Sequence, residues 1–149
     1  MDSNTIYLGS DHNGNAARGY IMKLLLAAGY CVCDVNGDDY EHKVDYTDIA
    51  EKLCKGVMKD DATGILICGT GTGMLIAANR FRSIRAGLAT DRATAELMRQ
   101  HNDCNVLVLG QWRTPLGSMD ELIHTFLETA FEEGRHIARV EKLGYLGDE

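Results

Sequence analysis

The sequence holds five cysteines but no CxxC pair, so neither a zinc-type spacing nor a dithiol redox centre can be read from it. Five cysteines in 149 residues also fall short of a disulfide-stapled framework, and thiols in a reducing compartment are expected. No uninterrupted apolar stretch reaches the ~18 residues that cross a membrane, and the start lacks a basic-plus-apolar targeting pattern. The expectation is a cytoplasmic chain with no membrane partner. Positive charge is scarce as well: 15 Lys and Arg stand against 22 Asp and Glu, a formal net charge of −7. That balance disfavours nonspecific attraction to nucleic acid, although a local basic pocket can still take a small phosphate. Low-complexity linkers and strong internal repeats are missing too. With 45% hydrophobic residues to fill a substantial core, a single domain over residues 1–149 is predicted, without room for a second.

What is present is a regular alternation. Short apolar runs rich in β-formers at 5–9, 31–35, 64–68, 84–89 and 104–110 read as strands. Segments 15–28, 46–58, 74–81 and 92–99 carry apolar residues near one helical face. Strand followed by helix, repeated, predicts right-handed crossovers and a mostly parallel sheet covered by helices on both faces. Further helices are expected at 120–130 and 136–143. In such a fold the loops at the carboxyl ends of the strands carry the site.

The run GILICGTGTGM at 64–74 is the most informative of these ends. A strand closing on Cys68 opens into Gly69, Gly71 and Gly73, which permit tight backbone angles and leave amides accessible to an anionic oxygen. A following helix would add its N-terminal potential. The loop completes neither common nucleotide fingerprint: no GK followed by Ser or Thr ends it, and the GxGxxG spacing is absent. A nicotinamide dehydrogenase is thus a poor reading. The bland alternative is a tight turn in which the glycines serve geometry alone, with Cys68 a small buried core residue.

Other loops bring further chemistry. GSDHNG at 9–14 follows the first strand with a carboxylate, Asp11, and an imidazole, His12, or else is a helix cap and polar turn. RQHND at 99–103 supplies His101 and Asn102, or is a solvated helix end. Arg135 and Arg139 lie four apart, so a helix there puts both guanidinium groups on one face, suited to gripping a phosphate. An intersubunit carboxylate clamp or a solvated basic face fits the same spacing. The tail has no long basic patch or aromatic stacking pattern, which argues against a DNA surface.

Taken together, GSDHNG at 9–14, VDYTD at 44–48, GILICGTGTGMLIAANRF at 64–81, IRAGLATD at 84–91, HNDCNVLVLG at 101–110 and FEEGRHIARV at 131–140 resemble the ribose-5-phosphate isomerase B and galactose-6-phosphate isomerase family over nearly the whole chain. The resemblance implies a Rossmann-like three-layer sandwich, with a five-stranded mostly parallel sheet and a C-terminal helical extension. It implies a phosphorylated sugar as substrate, no cofactor and no metal. It further implies a homodimer or homotetramer whose active sites are shared across the interface.

Residue by residue, Cys68 resembles the family's proton-transfer base. Asp11 and His101 resemble ring-opening groups, with Asn102 placing the open chain. His12, Arg135 and Arg139 resemble the phosphate holders. Thr70 and the amides of 69–73 would position or stabilise the reacting oxygens, and Tyr46 matches a pocket-lining tyrosine. The chemistry agrees. Aldose–ketose exchange moves a proton between neighbouring carbons through a cis-enediol or enediolate, and amides aimed at the developing oxygen charge favour that transition state. Departures from the family pattern fall on Thr47, on Thr72, and on Trp112, which stands where many members have arginine. Arg113 is next to it, so Trp112 and Arg113 are candidates for substrate selection, while a packed interface aromatic is the plainer reading of Trp112. Ribose 5-phosphate to ribulose 5-phosphate is the expected reaction. A six-carbon sugar phosphate, a noncatalytic sugar-phosphate sensor and a purely structural oligomer remain the alternatives.

Overall fold

Five apolar runs become strands, and the computed structural model, which describes residues 4–148, joins them into one sheet. β1 (Thr5–Ser10), β2 (Cys31–Asp34), β3 (Thr63–Cys68), β4 (Ala86–Leu88) and β5 (Val106–Gly110) lie in the order β2-β1-β3-β5-β4. Every neighbouring pair is parallel, so each strand must be regained by a crossover over a face of the sheet. The crossovers and the tail contain α1 (Asn15–Ala27), α2 (Tyr46–Asp60), α3 (Thr72–Ala78), α4 (Arg92–Asn102), α5 (Leu116–Glu128) and α6 (His136–Leu143).

Alternation along the strands sorts the helices into two layers. Ile6, Leu8, Ile65, Ile67, Leu107 and Leu109 point to one face and pack with α1, α4 and α5 through Ile21, Met98, Ile123 and Phe126. Leu66, Cys68, Val106 and Val108 point to the other and pack with α2 and α3 through Ile49, Leu53, Val57 and Met74. Strands clad on both faces carry unbroken apolar runs, and β5 is buried along its full length. The Rossmann-like three-layer sandwich is thereby borne out.

Helix α2 shows how sequence sets this packing. Its buried residues Ile49, Ala50, Leu53, Cys54 and Val57 recur at helical spacing and form one stripe, while Glu51, Lys52 and Lys55 stay exposed. Each large apolar side chain in that stripe contributes about 1.5–3 kcal/mol of burial. Leu53→Ala would leave a cavity and cost about 2–5 kcal/mol.

Boundaries differ from expectation where polar side chains intervene. Helix α3 begins at Thr72 and ends at Ala78, because Asn79 leaves the helix to exchange two hydrogen bonds with the Ala86 backbone, at 3.0 and 2.9 Å. The strand expected at 84–89 pairs only over Ala86–Leu88. Upstream, the Ile84 N–H is committed to the Phe81 carbonyl at 3.0 Å and the Arg85 N–H to Asn105 Oδ1 at 2.8 Å. Helix α5 starts at Leu116, four residues before the expected Asp120, directly after Pro115 with its extended backbone at the N-cap; proline's fixed φ favours such a start.

Candidate active site

The carboxyl ends of β1, β3 and β5 meet at the candidate site. Ser10 pairs with Ile67, and Cys68 pairs with Gly110, so the loops after these three strands leave the sheet side by side. Their backbones touch. The Asp11 N–H donates to the Ile67 carbonyl at 3.1 Å, and the Gln111 and Trp112 N–H groups donate to the Cys68 and Gly69 carbonyls at 2.9 Å. A Cβ at Gly14 would stand 2.8 Å from the Ile67 carbonyl oxygen, and one at Gly110 2.6 Å from the Thr70 oxygen. Glycine is needed at both positions because backbone occupies the space of a side chain.

Cys68 is buried, on the face covered by α2 and α3. The Gly71 N–H donates to its Sγ at 3.2 Å, and Gly71 holds φ of +86°, a left-handed angle that lets the chain fold back onto the sulfur. The remaining cysteines differ. Burial pushes the Cys54 thiol up to about 12 and the Cys104 thiol up to about 11, which keeps both protonated. Cys31 and Cys33 are exposed on the edge strand β2. Among the five, and counting the described residues, Cys68 alone ends a central strand with an N–H on its sulfur.

The glycine loop is walled by two aromatics. The Tyr46 ring would approach a Cβ at Gly73 to 3.0 Å, and the Trp112 ring one at Gly69 to 2.8 Å. Trp112 is nevertheless 66% exposed and Tyr46 41% exposed, so each presents an open face at the rim. Thr70 Oγ1 accepts from the Thr72 N–H at 3.2 Å. Helix α3 has seven residues, so the loop amides act here as individual donors. Arg113 is exposed one residue beyond Trp112.

Asp11 is buried, and its carboxylate accepts from the Asn13 N–H at 2.9 Å, capping the 3-10 turn His12–Gly14. The cap and the functional readings of Asp11 thus coexist, and His12 beside it is exposed. Three residues outside the expected set hold this corner. Gln111 Oε1 accepts from the Ala17 N–H at 3.0 Å. Asn36 both accepts from and donates to the Ser10 backbone, at 3.0 and 2.8 Å. Arg18, fully buried, pairs with Asp34, donates to Ser10 Oγ and the Gly37 carbonyl, and stacks on Tyr40. Polar loop positions, Gln111 directly after β5 and Asn36 two residues past β2, were the available signal for these two. Arg18 carried none, because a lone arginine on a helix normally reads as exposed.

The other expected residues are elsewhere. His101 and Asn102 end α4, which returns the chain to the amino end of β5. Cys68 lies opposite Gly110 at that strand's far end, so about 13 Å of strand separates the two levels. They also differ in face, since α4 packs on the side away from Cys68. His101 stacks on His136 with ring centroids 4.5 Å apart. Together with Asn102, Arg139, Val140 and Leu143 they line a cavity of about 340 Å³. Arg135 is the N-cap of α6, and it and Arg139 are exposed. Burial, with Arg135 and His101 close by, holds the His136 imidazole below the usual histidine range. A single chain therefore holds the candidate residues in two separate groups: Cys68, Asp11, His12, Thr70, Tyr46 and Trp112 at the carboxyl end, and His101, Asn102, Arg135 and Arg139 near the amino end.

A buried thiol with a backbone donor on its sulfur, at the carboxyl ends of a parallel sheet, lies where α/β enzymes carry their active sites. Residues 6–143 match the ribose/galactose isomerase family, and the chain belongs to it. Ribose-5-phosphate isomerase B of Escherichia coli is 37% identical over 139 residues, covering 93% of each chain. The structure of ribose 5-phosphate isomerase B from Anaplasma phagocytophilum superimposes with a TM-score of 0.90 at 43% identity, over 97% of this chain and 99% of that one. That of ribose-5-phosphate isomerase B from Mycoplasma genitalium with bound ribulose-5-phosphate gives 0.89 at 34% identity, over 94% and 93%. No described helix is long and apolar enough to cross a membrane.

Proposed function

We propose that this aldose–ketose isomerase acts on ribose 5-phosphate and forms ribulose 5-phosphate through a cis-enediolate. The observation that carries the reading is Cys68, buried at the end of β3 with the Gly71 N–H on its sulfur. As thiolate it takes the proton from C2 of the open sugar and returns it to C1. The glycine-loop amides and Thr70 hold the two oxygens that share the negative charge, a contribution largest in the transition state. Asp11 and His101 open the ring, Asn102 orients the open chain, and His12, Arg135 and Arg139 hold the phosphate. Similarity to a structure holding ribulose-5-phosphate supports the five-carbon substrate.

The separation of the two groups in one chain supports a homo-oligomer of at least two copies, in which each group supplies half of a shared site and Cys68 of one chain meets His101 and the arginines of another. A six-carbon sugar phosphate is the second reading, favoured by Trp112 at the rim beside Gly69. Coupled assays with ribose, allose and galactose phosphates decide between them. Turnover of ribose 5-phosphate with the highest kcat/KM is expected. Folded protein that binds these phosphates without turning any over would instead be a sensor, and would sink the proposal.

A further inference from the structure

A second constellation lies where α4 and α6 meet. His101, Glu132 and His136 place one donor atom each within 4.8 Å of one another. Two elements bring them together: His101 ends α4, while the segment before α6 is pinned to that helix by the Glu132 N–H donating to the Gln100 carbonyl at 3.0 Å. His136 is only 5% exposed, and its Nε2 has no hydrogen-bond partner among the described residues. Buried polar atoms are normally satisfied, and this one faces the Glu132 carboxylate at 3.7 Å, beyond hydrogen-bond reach. The distance is close to the separation of about 3.4 Å between two donors on a tetrahedral ion with bonds of about 2.1 Å.

We propose that His101, Glu132 and His136 bind a divalent transition-metal ion, with zinc the best fit, and that the ion inhibits the enzyme by withdrawing His101 from the substrate. Two imidazoles and a carboxylate match zinc's preference, whereas calcium and magnesium favour all-oxygen sites. His136 and Glu132 form the fixed pair, and water fills the open position. The two imidazoles now stack with only 16° between their planes, so both cannot aim an in-plane lone pair at one ion. Half-buried His101 rotates out of the stack to become the third ligand, and that rotation removes it from catalysis. Arg135 and Arg139, exposed nearby, oppose the positive ion, so binding is weaker than at closed four-ligand sites. The inhibitory role rests on the ring-opening role given to His101; metal binding does not.

The test is Co²⁺ titration of the intact protein carrying Cys31→Ser and Cys33→Ser, which removes the exposed thiols as competing ligands. One ion per chain is expected, with the visible absorption of a four-coordinate site and no thiolate charge-transfer band. Glu132→Gln, on an exposed segment outside the proposed catalytic set, should weaken uptake at least about tenfold. His136→Asn should do the same. No uptake, a thiolate band, or uptake unchanged by Glu132→Gln would overturn the site. Zinc should also slow the active enzyme reversibly, and less so in Glu132→Gln. An ion that binds while turnover is unaltered overturns the inhibitory role, whereas a metal-free protein with no turnover counts against the proposed reaction.

Discussion

The benzo ring of Trp112 lies on the backbone of Gly69, one residue past Cys68: three of its carbons would each stand 2.8 Å from a Cβ at that glycine. Flat glycine thus seats the indole at the rim. Trp112→Ala should leave stability within about 0.5 kcal/mol, as at other exposed positions. It should also change the ratio of kcat/KM for ribose 5-phosphate to that for allose 6-phosphate by about tenfold or more. Gly69→Ala should shift the same ratio by displacing the ring. Paired kinetics with both sugars measure it, and a constant ratio would show that Trp112 plays no part in selection.

Cys68→Ala should lower kcat by about 10²–10⁴, the usual contribution of a positioned general base, with substrate binding retained. Exchange of the C2 hydrogen with solvent should disappear in step. Cys54→Ala and Cys104→Ala, whose thiols burial keeps protonated, should leave exchange intact.

Arg139 lines the cavity with His101 and Asn102. Arg139→Ala should remove a charge-assisted contact to phosphate and raise KM about tenfold or more, with a smaller change in kcat. Isothermal titration with the product would show the same loss. Unaltered affinity in both Arg139→Ala and Arg135→Ala would leave the tail without a phosphate role.

Two inactive variants should repair one another. Cys68→Ala and His101→Asn chains, unfolded together and refolded as a mixture, should recover about a quarter of wild-type activity if dimers form at random, because half are mixed and each mixed dimer has one intact site of two. Separately refolded samples should stay inactive. Failure of the mixture, with oligomers confirmed by light scattering, would place each site within one chain.

Burial, with Arg135 and His101 nearby, lowers the folded-state pKa of His136 below its ordinary value of 6.5. Below that value the unfolded chain binds a proton that the folded chain resists, so the unfolded state gains and stability falls as pH drops from near neutrality. Thermal unfolding followed from pH 7 to 5 should show this decline, and His136→Asn should flatten it. Asp39, held down to about 2 chiefly by the His42 and Glu41 N–H groups, acts in a lower window. Its contribution is present above the ordinary carboxylate range and is lost only as pH falls towards 2.

Much of this architecture is legible in the sequence because the central strands are apolar runs closed by glycine or a polar loop. β3 and α6 come out within a residue of their expected limits. Errors concentrate where one side chain redirects the backbone: Asn79 stops α3, Asn105 engages the start of β4, and Pro115 launches α5. For the site, the carboxyl-end loops announced Asp11 and Cys68 by position. His101 was equally visible as a residue, but its distance from Cys68 follows from the direction of α4. Arg18, Gln111 and His136 needed coordinates, since their roles depend on burial and on partners up to 94 positions away.

At Gly14 and Gly110 the three site loops touch main chain to main chain. The packing of the loops around the thiol is therefore set by atoms that every amino acid shares, and a side chain at either glycine would have to displace the backbone. Side chains dominate the rim, where Tyr46, Trp112 and Arg113 stand in the open. Substitutions at the rim can thus reshape the opening without disturbing the main-chain contacts that hold the thiol in place.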